Sequence, residues 1–115
     1  MVIKVGVLRG GPSMEHNVSL KTGENVLNFL PKDKYEGIDI ILNKDGYLSA
    51  NGSPMKIQQL NYLVDVIFNA LHGYFGEDGK VQQILNNLNL PYTGSGALSS
   101  SIAMNKVLSR DIFAK

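Results

Sequence analysis

The 115-residue sequence predicts a single α/β domain built on a mostly parallel, four-stranded sheet. Four short apolar runs alternate with stretches of helical spacing, which is the pattern of parallel α/β proteins. Glycine-rich turns follow these apolar runs. A hydrophobic content of 43% supports one compact core and leaves no room for a second domain of ordinary size.

The first strand is predicted over residues 2–8, and a helix is predicted to begin near Ser13, which is a good N-cap residue. Gly23 allows this helix to approach the sheet closely, and Pro31 ends it. The apolar residues of the helix that its spacing predicts to face inward are Met14, Val18, Val26, Leu27 and Leu30.

The second strand is predicted over residues 37–42, and Asp45-Gly46 after it is a strong hairpin-turn signal. Residues 50–60 are ambiguous, with a short helix after Pro54 as one reading. Residues 64–71 have the apolar character of a central parallel strand. A helix carrying Val81, Ile84, Leu85 and Leu88, a short strand at 90–93, and a last helix from about residue 98 complete the prediction.

Eight of the 12 glycines lie just after one of the four predicted strands. In open parallel sheets, ligands bind outside the carboxyl ends of the strands, so these loops are expected to share one crevice. The alternative is that each glycine only forms a tight turn. The eight are Gly10, Gly11, Gly46, Gly73, Gly76, Gly79, Gly94 and Gly96.

Charge and composition exclude several classes of function. The formal net charge is +1, so no general basic or acidic field indicates a nucleic acid or a membrane surface as partner. The absence of cysteine excludes disulfides, thiolate metal sites and thiol nucleophiles. The apolar run at residues 2–8 is far too short to span a bilayer, and a cytoplasmic protein is therefore expected.

The first glycine turn, "RGGPSME", is neither a dinucleotide fingerprint nor a Walker A loop, since Pro12 and Glu15 stand where GxGxxG needs glycine. Two interpretations of Glu15 remain open. Its carboxylate stabilises the start of the helix through the helix dipole, or it points toward the crevice and pairs with a ligand cation such as an amino group.

The second turn, "NALHGYFGEDGKVQ", places His72 directly after the buried strand. His72 is either a structural donor to a backbone carbonyl or a group that donates to a ligand carboxylate or orients Glu15. Glu77 and Asp78 are candidate metal ligands, although we favour helix capping for them. The third turn, "YTGSGALSSSIAMNK", has small residues that lead into a helix. The backbone amides at the start of this helix could bind an anion, and the alternative is a flexible, serine-rich segment before the helix. Lys106 by itself is an ordinary surface lysine.

Three stretches together, "VGVLRGGPSMEHNVSLKTG", "NALHGYFGEDGKVQQILNNLNLPYTGSG" and "SSIAMNKVLSR", resemble the N-terminal domain of bacterial D-alanine–D-alanine ligases, which belong to the ATP-grasp superfamily. The resemblance covers nearly the whole chain in the right order. It implies a Rossmann-like (pre-ATP-grasp) three-layer fold and an enzyme that joins two D-alanines for peptidoglycan, using ATP and Mg²⁺ through an acyl phosphate.

The resemblance also assigns roles to residues. Glu15 is expected to be catalytic and to face the amino group of the first D-alanine. His72 is expected beside the same substrate, Ser19 near it, and Lys106 close to a nucleotide phosphate. No metal ligand is expected within this chain. Homodimers formed through this domain are common in the family, so a homodimer is a further expectation.

The family places its central and C-terminal ATP-grasp domains after the point where this chain stops, Lys115. Residues 1–115 are therefore expected to form one N-terminal substrate-binding domain, whose partners are D-alanine and the ATP-grasp domains of the same enzyme. The 115-residue chain alone is expected to bind neither ATP nor Mg²⁺ tightly and to lack ligase activity. The alternatives are a stand-alone module that binds an amino acid or phosphate without catalysis and, more weakly, a generic nucleotide-binding domain.

Overall fold

A computed structural model describes residues 2–72 and 80–93 of the chain. Within these ranges it contains one six-stranded sheet, three α-helices and one turn of 3₁₀ helix at Ile57–Gln59. The strands are β1 (Ile3–Gly10), β2 (Tyr35–Leu42), β3 (Leu48–Ala50), β4 (Ser53–Met55), β5 (Val66–Asn69) and β6 (Tyr92–Thr93). The helices are α1 (His16–Phe29), α2 (Leu60–Leu63) and α3 (Lys80–Asn87).

The sheet has the order β4-β3-β2-β1-β5-β6, with β1 near its centre. Strands β2, β1, β5 and β6 are parallel, and they correspond to the four strands predicted from the apolar runs. The predicted α/β class with a mostly parallel sheet is thus confirmed. Because β1 and β2 pair along their whole length and end together at Gly10 and Leu42, their carboxyl ends form one continuous edge.

The number of strands differs from the predicted four because the hairpin after β2 joins the sheet. The predicted turn at Asp45-Gly46 is confirmed: Gly46 has φ +95° and its amide donates to the Asn43 carbonyl. The returning chain pairs antiparallel with β2 as β3, turns again at Asn51-Gly52, and adds β4 at the edge. A short helical segment does follow Pro54, as one reading of residues 50–60 predicted.

Apolar side chains cover both faces of the parallel strands. Residues of β1 alternate between the two faces, and every residue of β5 is buried. One core cluster contains Val5, Val7, Leu30, Val66, Phe68 and Ala70; the larger cluster on the other face includes Leu8, Ile40, Leu60, Ile67, Val81 and Leu85. The sheet is therefore the middle layer of the domain.

Helix α1 packs on the sheet through small side chains, and its buried residues are Ser19 and Gly23. Val26, Leu27 and Leu30 pack against the core as predicted. The prediction that Met14 and Val18 face inward was wrong, because these side chains are 99% and 57% exposed. Ser19 and Gly23 form the close contact with β1, so the first half of the helix buries small residues instead of the predicted apolar ones.

The ends of α1 also show one correction. The helix begins at His16 with Glu15 at the N-cap, and the predicted N-cap residue, Ser13, lies two residues before that position. Ser13 is instead buried in the turn before the helix, where its side chain is used for tertiary contacts. At the other end, Leu30 is extended, as a residue before proline favours, so the predicted stop at Pro31 is confirmed.

Arg9 fills the space between β1 and α1 above Gly23. Its Nε and Nη2 donate to the two carboxylate oxygens of Asp39 at 2.7 and 2.8 Å, and its Nη1 donates to the Leu20 carbonyl. The hydrogen bond to Asp39 raises the pKa of the Arg9 guanidinium above its ordinary value. The ion pair thus joins β1 to β2, and the third bond joins β1 to α1.

The predicted helix after residue 80 is confirmed as α3, which buries Val81 and Leu85. The last predicted helix, from about residue 98, lies outside the described residues. Of the helices in the described ranges, none is both long enough and apolar enough to cross a membrane.

Gly23→Ala should lower the free energy of unfolding. A Cβ at this position would lie 2.5 Å from Cδ and 2.7 Å from Cβ of Arg9, and the second contact cannot be relieved by rotating the side chain. Overpacking of about 1–3 kcal/mol is expected to exceed the gain of about 1 kcal/mol in helix propensity. Urea denaturation measures the difference, with Asn25→Ala, at an exposed position of the same helix, as the control. If both variants were stabilised alike, the proposed close contact at Gly23 would be wrong.

Candidate functional site

The Gly10–Gly11 turn lies at the carboxyl end of β1. Both glycines have positive φ, +97° and +92°, a conformation that favours glycine. A Cβ on Gly10 would lie 2.5 Å from the Leu42 carbonyl oxygen, and the Gly11 amide donates to that same oxygen at 2.8 Å. The turn is therefore pressed against the end of β2, and only glycine fits at its first position.

Ser19 holds this turn from below. Its hydroxyl accepts a hydrogen bond from the Gly10 amide at 2.8 Å and donates one to the Ala70 carbonyl at 2.7 Å. The side chain is fully buried, and its two hydrogen bonds join helix α1 to the end of β1 and to the segment after β5. Both bonds go to backbone groups, which gives Ser19 a positioning role beneath the turn.

Ser13 brings the first and second sequence motifs together. Its hydroxyl donates to the His72 carbonyl at 2.7 Å and accepts from the Glu15 amide at 3.1 Å. Sequence reasoning assigned Ser13 to helix capping and missed this link. The only local signal was a serine two residues before a backbone amide that needs an acceptor, which is typical of a serine turn; the partner 59 residues away is a tertiary feature.

Glu15 lies at the N-cap of α1 and is exposed. Its side chain makes no capping hydrogen bond to the helix. Among the described residues it forms no ion pair either. The carboxylate is therefore available to a ligand at the carboxyl edge of the sheet, although it also lies near the positive end of the helix dipole.

His72 is half-buried and packs against α1. Its Nε2 lies 3.1 Å from the Thr22 hydroxyl, which donates its proton to the Val18 carbonyl at 3.0 Å. With that proton committed, the Thr22 oxygen accepts, and Nε2 of His72 is the donor. Thr22 was not identified from the sequence, and the structure makes it a contact of the His72 ring.

The carboxyl end of β5 is shaped by Asn69, which is buried and whose side-chain oxygen accepts a hydrogen bond from the Leu71 amide at 3.1 Å. This side-chain turn directs the chain toward His72. The structure thus brings together Glu15, Ser19 and His72 at one edge. Lys106, Glu77, Asp78 and the predicted anion site at residues 94–106 lie outside the described residues.

A cavity of about 440 Å³ lies elsewhere, between the β3–β4 hairpin and α2. Its lining includes Ala50, Pro54, Met55, Tyr62 and Leu63. None of Glu15, Ser19 and His72 lines it, and it has no charged group. Its position and lining therefore do not match the site at the carboxyl edge.

A mostly parallel sheet between helices, with a double-glycine turn that leads from a central strand into the following helix, defines a Rossmann-like α/β domain. The family described as the D-ala D-ala ligase N-terminus matches residues 4–62 and 48–95. The chain belongs to this family. The resemblance found from the sequence motifs is confirmed.

Individual relatives agree with this assignment. The chain is 46% identical over 115 residues to the D-alanine–D-alanine ligase of Pelagibacter ubique, covering all of this chain and 35% of that protein. It is 39% identical to the Bacillus anthracis D-alanine–D-alanine ligase solved in complex with ATP, covering 90% of this chain and 32% of that one, with a TM-score of 0.63. The VanG D-Ala:D-Ser ligase of Enterococcus faecalis is 26% identical, with a TM-score of 0.74, over 87% of this chain and 38% of that one. The chain spans about a third of the length of the curated relatives it matches.

Ser19→Ala should lower the free energy of unfolding by about 2–4 kcal/mol, because it leaves two buried backbone groups, the Gly10 amide and the Ala70 carbonyl, without partners. Urea or thermal denaturation measures the loss. Asn17→Ala, at an exposed position of the same helix, is the control and should change stability little. Equal stabilities of the two variants would contradict the positioning role of Ser19.

Proposed function

We propose that this chain is the N-terminal substrate-binding domain of a cytoplasmic, ATP-dependent D-alanine–D-alanine ligase, which makes the dipeptide for peptidoglycan. The observation that carries the proposal is the uncommitted Glu15 carboxylate, exposed beside the Gly10–Gly11 turn in a chain of this family. In this proposal residues 1–115 form one domain, and the central and C-terminal ATP-grasp domains of the same enzyme complete the site.

The chemistry of D-alanine suits the groups at this edge. The amino acid carries an ammonium group that a carboxylate binds with a charge-assisted hydrogen bond, about twice as strong as a neutral one. Glu15 has no competing partner in the described residues and is the group proposed to receive this ammonium. His72, held by Thr22, is proposed to lie beside the same substrate, and Ser19 to act through the turn that it supports.

Exposed apolar side chains next to Glu15 support the presence of a covering domain. Met14 is 99% exposed and Val18 is 57% exposed, and they flank Glu15 on either side along the chain. Because these side chains and the Glu15 carboxylate are all exposed, water reaches the site in this chain. Closure by another part of the same enzyme would cover both side chains and strengthen the ion pair between Glu15 and the ammonium.

ATP and Mg²⁺ are proposed as cofactors of the complete enzyme. The complex of the Bacillus anthracis relative with ATP supports the nucleotide. Within residues 2–72 and 80–93, no three acidic or histidine side chains come together to hold a metal ion, so this part of the chain does not fit a Mg²⁺ site. Lys106 is proposed to approach a nucleotide phosphate, and the Mg²⁺ ligands are assigned to the other domains.

A homodimer formed through this domain belongs to the same proposal and rests on the family resemblance. Sedimentation of the complete enzyme measures it, and a monomer at working concentrations would remove this part of the proposal.

Glu15→Gln in the complete enzyme should raise KM for the first D-alanine by about 10- to 100-fold, because a charge-assisted bond to the ammonium becomes a neutral one. KM for ATP should change little, since Glu15 is not assigned to the nucleotide. Initial rates at varied D-alanine and ATP concentrations measure both constants.

Glu24→Gln is the matched control for that experiment. Glu24 is an exposed glutamate on the same helix, within the field of Arg9 and away from the Gly10–Gly11 turn. The same substitution there should leave KM for D-alanine unchanged. Wild-type KM in Glu15→Gln would remove Glu15 from the site.

The 115-residue polypeptide by itself should form no dipeptide and release no phosphate above background with ATP, Mg²⁺ and D-alanine. It spans about a third of the length of its relatives and has no metal-binding cluster in its described residues. Phosphate release at a rate proportional to polypeptide concentration would contradict the assignment of the chemistry to other domains. Tight binding of D-alanine without turnover would instead favour a stand-alone binding module.

A further inference from the structure

His16, the first residue of α1, folds its ring back over the double-glycine turn. Its Nδ1 lies 2.6 Å from the Gly11 carbonyl oxygen. Its Cε1 lies 3.0 Å from the position that a Cβ on Gly10 would occupy, so the ring rests directly on the backbone of the turn. The side chain is half-buried there.

The bond to Gly11 determines the tautomer of His16. A carbonyl oxygen only accepts hydrogen bonds, so Nδ1 must carry the proton. In the neutral ring, Nε2 is then unprotonated, and among the described residues it has no hydrogen-bond partner. The ring is thus held in one orientation by a single donor.

With His16 in place, both backbone groups of Gly11 are committed. Its amide donates to the Leu42 carbonyl at the end of β2, and its carbonyl accepts from His16 at the start of α1. Ser19 holds the preceding residue, Gly10, from below. The bonds to Leu42 and Ser19 hold the two amides of the turn, and the bond from His16 holds its last carbonyl group.

Glu15 is bonded to His16 and separated from Gly11 by three residues. Its own side chain makes no capping bond that would hold it. The orientation of Glu15 therefore depends on its backbone, whose amide donates to the Ser13 hydroxyl, and the contact between His16 and Gly11 closes the loop that contains both residues.

We infer that His16 is a positioning residue for Glu15: by donating from Nδ1 to the Gly11 carbonyl, it closes the loop from Gly11 to His16 that presents the carboxylate to the first D-alanine. This inference rests on the proposed function, because the ligand of Glu15 is the ammonium proposed above. His16 itself is assigned no contact with the substrate.

A pair of variants in the complete enzyme separates the hydrogen bond from the bulk of the side chain. The amide nitrogen of asparagine lies at the same distance from the backbone as Nδ1 of histidine, so His16→Asn keeps the donor. Leucine has nearly the same shape as asparagine but has no donor, so His16→Leu removes the hydrogen bond. We expect His16→Leu to raise KM for the first D-alanine about three- to tenfold, with kcat changed less than about twofold, and His16→Asn to restore KM.

A second measurement does not depend on ligase activity. Nitrogen-15 NMR of the His16 ring at pH 8 should show a protonated Nδ1 and an unprotonated Nε2. The Gly11 amide resonance should move in His16→Leu and return close to its wild-type position in His16→Asn. A ring protonated at Nε2 would overturn the inference, and so would wild-type KM in a folded His16→Leu enzyme.

The two measurements distinguish failure of this inference from failure of the proposed function. A wild-type complete enzyme that makes no dipeptide contradicts the proposed function, and the ring tautomer and the Gly11 amide then still decide whether His16 holds the turn. An active enzyme whose His16→Leu variant keeps the wild-type KM leaves the proposed function standing and removes His16 from it.

Discussion

The close contact between helix α1 and strand β1 is the constraint on which the rest of this domain depends. Ser19 and Gly23 are the buried residues of the helix, and Arg9 occupies the space that a larger side chain at position 23 would need. Small residues let the backbones approach, and at this distance the Ser19 hydroxyl reaches backbone groups of two different segments. The same contact turns Met14 and Val18 outward.

The candidate site is supported mainly by backbone groups that buried hydroxyls connect. Ser19 joins Gly10 to Ala70, and Ser13 joins the first turn to the carbonyl of His72. These bonds cross between segments that are far apart in sequence, so the edge of the sheet is fixed before any ligand arrives. A rigid support of this kind holds a charged group at little conformational cost.

Polar groups of the described residues at this edge divide into those that bond to other groups of the protein and those that do not. The hydroxyls of Ser13, Ser19 and Thr22 all bond to other groups of the protein. The Glu15 carboxylate has no such partner in the described residues, and exposed apolar side chains flank it. In a chain of the D-ala D-ala ligase N-terminus family, this contrast between bonded hydroxyls and an unpaired carboxylate is the feature on which the proposed substrate site rests.

The sequence by itself determined the four parallel strands, the hairpin turn and the turn glycines, because apolar runs and positive φ are local properties. Its motifs also identified the family and singled out Glu15 and His72. Only the tertiary structure decided that Met14 and Val18 point away from the core, that β3 and β4 extend the sheet, and that Ser13 and Ser19 connect separate segments. Strands of three residues carry too little periodicity to be recognised. The carbonyl acceptors of Ser13 and Ser19 lie 59 and 51 residues away, respectively, and no local sequence pattern indicates them.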